Sequence, residues 1–294
     1  MKKIPYNGLG TALITPFLPG GNIDFEALSH LIESQIAGGV DYLVVLGTTA
    51  EAATMTPEER KEVTNFVRER VAGRIPLVLG LGSNNTQLLI NTIQTTDLCG
   101  YSAILSVCPF YNKPSQEGLF RHFSAVAQAS PLPILLYNVP GRTGVNLLPE
   151  TVIRIYEEQP DKIAGIKEAS GNMQQICDLI ALSHCRFSVI SGDDALAYPL
   201  MKAGASGLIS VAANAFPKDF REIVHNQFGK AEVLQEQYTE TIRLLFAEGN
   251  PSGIKTVLSL QGKIHNILRL PLVPNSPAVQ QSIADNLSKL PTCS

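Results

Sequence analysis

The sequence predicts a (β/α)8 barrel carrying a C-terminal appendage of three helices. Three observations lead there. Short apolar runs alternate with amphipathic runs through eight repeats. The apolar runs are hydrophobic on both faces, as strands of a buried parallel sheet are. After residue 230 the strand signals stop and only helical patterns continue. The barrel is therefore expected over 1–230 and a helical domain over 231–294. A doubly wound open sheet is the alternative arrangement of the same elements.

The expected strands are 9–14 (LGTALI), 41–46 (DYLVVL), 76–81 (PLVLGL), 102–107 (SAILSV), 133–137 (PILLY), 163–167 (IAGIK), 187–191 (FSVIS) and 206–210 (SGLIS). The first helix starts after Asp24, a good N-cap, puts Leu28, Leu31, Ile32 and Ile36 on one face, and closes at Gly38 and Gly39. The second begins at Thr56-Pro57-Glu58-Glu59, a capping box with proline at the first helical position. Val63, Phe66, Val67 and Val71 form its apolar stripe. Further helices are expected near 86–98, 116–129, 149–158, 173–183, 194–203 and 217–228, and the appendage near 231–248, 252–268 and 276–288.

Composition excludes several functions. Hydrophobic residues make up 45% of the chain and charged residues 17%, the balance of a globular protein. A formal net charge of −3 with no Lys/Arg run argues against nucleic acid as a partner. No apolar run approaches a membrane span, and the opening MKKIPYN leads straight into Gly8 and Gly10 rather than a signal-peptide core. A cytoplasmic location is expected. Cys99, Cys108, Cys177, Cys185 and Cys293 are scattered without a CxxC pair, which argues against disulfides and zinc and reads as small buried apolar side chains. The histidines lack HxxxH or HxH spacing and read as surface or packing residues. Gly80-Leu81-Gly82 lacks the third glycine of a dinucleotide loop, and no GxxxxGK[ST] is present. No metal or redox cofactor is expected.

In a barrel of this class, reactive groups gather where strands end. Those ends carry Gly47-Thr48-Thr49-Ala50-Glu51, Tyr111, Tyr137, Arg142, Lys167-Glu168 and Gly192-Asp193-Asp194. A lysine amine adds to a ketone to form a Schiff base once it has lost its proton, and burial among Ile163, Ile166 and barrel neighbours would favour the neutral form. Tyr137 ends the neighbouring strand and is placed to relay protons, with Thr48 and Tyr111 extending the relay. Thr49 and nearby backbone N–H groups are suited to a carboxylate, and Arg142 to a second one held bidentately. Each residue also has a structural reading. A lysine at a strand end commonly reaches water, Tyr137 alone would be a core tyrosine, and Arg142 a solvated loop residue. Strand alternation turns Glu168 to the outer face. The convergence of all these groups on one end of one barrel favours chemistry.

Five segments, GTTAEAATM, PFYNKPSQEGL, YNVPGRTGVNL, GIKEASG and SGDDALAYPLMKAGASGLISVAAN, together resemble the dihydrodipicolinate synthase branch of the N-acetylneuraminate lyase superfamily. The resemblance runs from Gly10 to Leu272. It implies a barrel with a C-terminal helical domain and a lyase that joins pyruvate to L-aspartate 4-semialdehyde in lysine (diaminopimelate) biosynthesis. It implies Lys167 as the Schiff-base lysine, Tyr137, Thr48 and Tyr111 in proton transfer, and Thr49 on the pyruvate carboxylate. Arg142 would receive the semialdehyde carboxylate, while Gly192 and Ile209 would line the pyruvate pocket. Tyr111 would reach into a neighbouring subunit of a homotetramer built as a dimer of dimers. Leu88, Pro57, Arg60 and Phe110 stand at the positions matching the family's lysine-feedback site, with Asn84 retained, and predict weak or absent inhibition by lysine. Ala50 replaces the family's usual glycine, which would strain the loop if that position required positive φ. Two other readings are a pyruvate-dependent sugar-acid aldolase and a non-catalytic barrel that binds a 2-oxo acid.

Overall fold

A computed structural model describes residues 6–226 and 229–290. Eight parallel strands close a barrel in sequence order: β1 (Gly8–Ala12), β2 (Tyr42–Val45), β3 (Leu77–Gly80), β4 (Ala103–Val107), β5 (Ile134–Asn138), β6 (Ile163–Glu168), β7 (Ser188–Ser191) and β8 (Gly207–Ser210). The pairing of β8 with β1 closes the sheet and removes the open-sheet alternative. The first strand is shorter than expected. Leu13 and Ile14 lie beyond it yet stay buried, and Pro16 soon follows, which has no N–H for a ladder.

The helices are α1 (Phe25–Ala37), α2 (Pro57–Val71), α3 (Thr86–Thr95), α4 (Gln116–Ala129), the single turn α5 (Pro140–Thr143), α6 (Pro149–Glu158), α7 (Met173–Ser183), α8 (Ala197–Lys202), α9 (Pro217–His225), α10 (Lys230–Leu245), α11 (Ser252–Leu260) and α12 (Pro277–Leu287). Asp24 caps α1 by accepting from Ala27 N, and Thr56 and Glu59 form the reciprocal capping box of α2. The segment expected to be one helix over 194–203 is a 3-10 turn, Asp194–Leu196, followed by α8. The expected end of α9 at 228 falls on positions outside the described residues.

α11 stops well before the expected residue 268. Gly262 takes φ 70°, and the stretch that follows is irregular. This stretch is held by side chains instead. Arg269 forms a two-pronged ion pair with Glu59 (2.6 and 2.7 Å) and donates to Gly21 O, while its backbone N–H donates to Glu51 Oε2 at 3.0 Å.

Two apolar layers follow from strand alternation. Tyr42, Val44, Val78, Ala103, Leu105, Leu135, Tyr137, Ile190 and Ile209 fill the barrel interior. Leu43, Val45, Leu79, Ile104, Leu136, Ile166 and Val189 point outward and pack with the helices. Ile163 and Ile166 belong to this outer layer, so they do not surround the Lys167 amine as the sequence suggested. The cysteines also differ from expectation. Cys108 is buried and Cys177 half-buried, but Cys99 and Cys185 are exposed, and Cys293 lies outside the described residues. Gly80 is a packing glycine: a Cβ there would meet Leu46 C at 2.8 Å, where the chain turns out of β2.

Candidate active site

Lys167 and Tyr137 are register partners on β6 and β5, each one residue before its strand ends. Both point into the barrel mouth and both are 6% exposed. The Lys167 Nζ sits 4.4 Å from the centre of the Tyr137 ring. On the other side Lys167 pairs with Ile190 of β7, and Gly192 follows that strand. A Cβ at Gly192 would fall 2.8 Å from Lys167 Cε and 2.7 Å from Ala169 Cβ. The missing side chain is therefore what lets the lysine lie against the β7 end. Gly192 N also donates to Glu168 O at 2.7 Å. Ile209, fully buried on β8, joins the same interior cluster.

The loop after β2 makes a 3-10 turn over Thr48–Ala50. Positive φ falls on Leu46 (55°) and Glu51 (58°), not on Ala50, so alanine at that position costs no backbone strain. Thr48 is exposed at the start of the turn and Thr49 is buried. The Thr49 Oγ1 accepts an N–H from Asn250 Nδ2 at 2.9 Å. Arg142, on the one-turn helix α5, donates from Nη2 to the backbone carbonyl of the same Asn250 at 3.1 Å. Tyr111 stands apart. It is 88% exposed, takes φ 74°, and is not part of the interior cluster that holds Tyr137. A bulky residue in the left-handed region is strained, and such strain concentrates at functional positions.

Behind Lys167 and Tyr137 lies a buried polar network that the sequence did not reveal. Glu168 does face outward, but into hydrogen bonds rather than simple packing. It accepts from Asn138 Nδ2 (2.9 Å), Gln175 Nε2 (3.3 Å) and Ser170 N (2.8 Å). Burial raises the pKa of its carboxyl, and these donors pull the other way. Asn138 Oδ1 also accepts from Leu147 N at 2.9 Å, which ties down the loop that carries Arg142. Asp194 accepts from Val211 N (3.0 Å) and Ala212 N (3.1 Å) and so fixes the chain just beyond β8. Burial raises its pKa to about 6. Asn250 and Asp194 carried no signal beyond an Asn-Pro turn and a helix-start aspartate, since their partners lie far away in the chain.

A buried amine stacked on a phenol, with a hydroxyl and a guanidinium at the rim, suits imine chemistry on a small keto acid. Comparison with known proteins agrees. The model of the Dihydrodipicolinate synthetase family matches residues 5–290. The chain belongs to this family. It is 49% identical to the 4-hydroxy-tetrahydrodipicolinate synthase of Parabacteroides distasonis, over 99% of both chains. The solved structure of the 4-hydroxy-tetrahydrodipicolinate synthase of Methylacidiphilum fumariolicum superposes with a TM-score of 0.92 at 41% identity, covering 96% of this chain and 95% of that one. A structure described as the first monomeric dihydrodipicolinate synthase variant superposes with a TM-score of 0.93 at 38% identity, covering 96% of each. In this dihydrodipicolinate synthetase family member, the segments that carried the resemblance lie at the barrel mouth and in the adjoining loops and helices.

Proposed function

We propose that this chain is a lyase that condenses pyruvate with L-aspartate 4-semialdehyde to give 4-hydroxy-tetrahydrodipicolinate, in lysine biosynthesis through diaminopimelate. The single observation that carries the reading is the Lys167 amine held 4.4 Å over the Tyr137 ring at the C-terminal end of the barrel. Lys167 adds to the pyruvate ketone, and the ketone oxygen leaves as water, giving an imine. Tyr137 and Thr48 carry protons to and from that centre. Loss of a methyl proton turns the imine into an enamine, whose carbon attacks the aldehyde. The substrate amine then closes onto the imine carbon and expels Lys167. Thr49 donates to the pyruvate carboxylate, Gly192 and Ile209 shape its pocket, and Arg142 takes the semialdehyde carboxylate. Protein groups alone perform these steps.

The same reading includes a homotetramer, a dimer of dimers, in which Tyr111 serves a neighbouring copy. Its exposure and positive φ support that role. It also includes a catalytic barrel over 1–230, a helical domain over 231–294 and a cytoplasmic location. The free thiols at Cys99, Cys108, Cys177 and Cys185 suit a reducing compartment. Exposed Leu88 and Phe110 offer a lysine ligand neither a carboxylate nor a hydroxyl, so inhibition by lysine is expected to be weak or absent. A low-micromolar inhibition constant would overturn that point.

Borohydride reduction in the presence of pyruvate tests the chemistry. Mass spectrometry should find one pyruvate-derived adduct on Lys167. No adduct, or an adduct on another lysine, refutes the Schiff-base reading. Arg142→Ala tests the second substrate. It should raise the KM for the semialdehyde by about 10-fold or more while pyruvate trapping persists.

A further inference from the structure

Asn250 comes from the segment between α10 and α11, yet it touches both groups assigned to substrate carboxylates. It is 7% exposed. Its Nδ2 donates to Thr49 Oγ1 at 2.9 Å, and its backbone carbonyl accepts from Arg142 Nη2 at 3.1 Å. These contacts span 201 and 108 residues of chain, so only the docking of the C-terminal helices brings them together.

A threonine hydroxyl has one proton to give and two lone pairs to receive. Because the Asn250 amide fills a lone pair, the Thr49 proton stays free. A hydrogen-bonded hydroxyl is also polarised into a better donor. We propose that Asn250 is a positioning residue: its side chain sets the direction of the Thr49 hydroxyl so that its proton points to the pyruvate carboxylate, while its backbone carbonyl separately orients Arg142. This deepens the proposed function and rests on its assignment of Thr49 to pyruvate. The two contacts use different parts of one residue. Changing the Asn250 side chain should therefore weaken pyruvate binding and leave the semialdehyde site nearly intact.

The test compares Asn250→Asp with Asn250→Leu at pH 8, in the full-length enzyme. The first replaces the donor by an acceptor of the same shape, so the Thr49 proton turns away from substrate. The second removes the donor but leaves the proton free. Asn250→Asp should raise the KM for pyruvate by about 10-fold or more, and Asn250→Leu by only about 2–3-fold. The KM for the semialdehyde should move less than about 2-fold in both. In a Thr49→Val background, Asn250→Asp should add little further loss, because the effect passes through the hydroxyl. Near-ultraviolet circular dichroism and half-denaturation in urea check that each variant is folded. If Asn250→Asp does not fold, Asn250→Leu is placed in the same Thr49→Val cycle, where its smaller loss should likewise vanish; if Asn250→Leu does not fold, the Asn250→Asp cycle decides.

Equal losses from Asp and Leu, full additivity with Thr49→Val, or parallel rises in both KM values would overturn the proposal in favour of a purely structural role. Borohydride trapping of wild type separates the two layers. Failure to trap pyruvate there refutes the proposed function itself. Successful trapping with an unchanged Asn250→Asp refutes only this inference.

Discussion

Lys167 has little free space, and that constrains what its neighbours can be. The residue facing its Cε must lack a side chain, since a Cβ at Gly192 would sit 2.8 Å away. Gly192→Ala should therefore push the lysine off the Tyr137 ring. We expect imine formation to slow by about 10-fold or more, read by borohydride trapping over time, with a modest loss of stability. Asp194 acts differently, through its charge. Its ordinary pKa of 3.8 rises to about 6 in the fold because burial opposes the ionised form. Between those values the folded state binds more protons than the unfolded one. Stability from this group therefore falls as pH rises from about 4 to about 6, then levels. Asp194→Asn keeps an acceptor for Val211 N and Ala212 N and cannot ionise. Its unfolding free energy should gain on that of wild type across this window, by an amount on the order of 1–3 kcal/mol, read from urea unfolding at each pH. A difference that stays constant from pH 4 to 7 would rule this out.

Between elements, the important unit is the pair of strand ends Tyr137-Asn138 and Lys167-Glu168, which lie in register. The inner members do the proposed chemistry, and the outer members hold the strands together through the Asn138–Glu168 hydrogen bond of 2.9 Å. Removing either outer partner takes a hydrogen bond out of a buried polar network. Glu168→Ala or Asn138→Ala should cost about 1–3 kcal/mol in urea unfolding. Each should also lower kcat, since the register that sets Lys167 against Tyr137 is loosened. Unchanged kcat in a folded variant would show that the outer hydrogen bond plays no part in placing the inner pair.

Across the whole molecule, the C-terminal helices are tied to the loop after β2 by a buried ion pair. Lys255 on α11 and Glu51 after Thr48–Ala50 are 0% and 2% exposed, with Nζ and Oε1 2.5 Å apart. Burial lowers the Lys255 pKa to about 8, while Glu51 resists the shift. Lys255→Met takes the ion-pair partner from the buried Glu51 carboxylate, which keeps the Arg269 N–H, and should destabilise the fold by about 3–5 kcal/mol, part of which Glu51→Gln should restore. Exposed Tyr111 makes a claim at a larger scale still. If it completes a neighbouring site, inactive Tyr111→Phe and Lys167→Ala enzymes, refolded together, should regain activity through mixed assemblies. Simple additivity of their residual rates would mean that no site is shared.

The order of strands and helices was legible in the sequence, with the barrel as the leading arrangement, and the β1–β8 pairing of the structure excluded the open sheet. Alternating apolar and amphipathic runs are local patterns, and a strand buried on both faces has few other ways to satisfy its backbone. The capped starts of α1 and α2 were legible for the same reason, because caps are made within a few residues. The placement of the proposed site residues was legible: Lys167, Tyr137, Thr49 and Arg142 all follow or end strands, and a barrel sends such residues to one face. The early end of α11 was not legible. Its helical pattern continues past Gly262, but the segment is held instead by Arg269, whose guanidinium donates to Glu59 and Gly21 O and whose backbone N–H donates to the Glu51 carboxylate. The Asn250 bridge, the Glu51–Lys255 pair and the outward hydrogen bonds of Glu168 were also hidden. Each joins groups separated along the chain, and whether a buried polar side chain finds its partner depends on distances that only the packed structure sets.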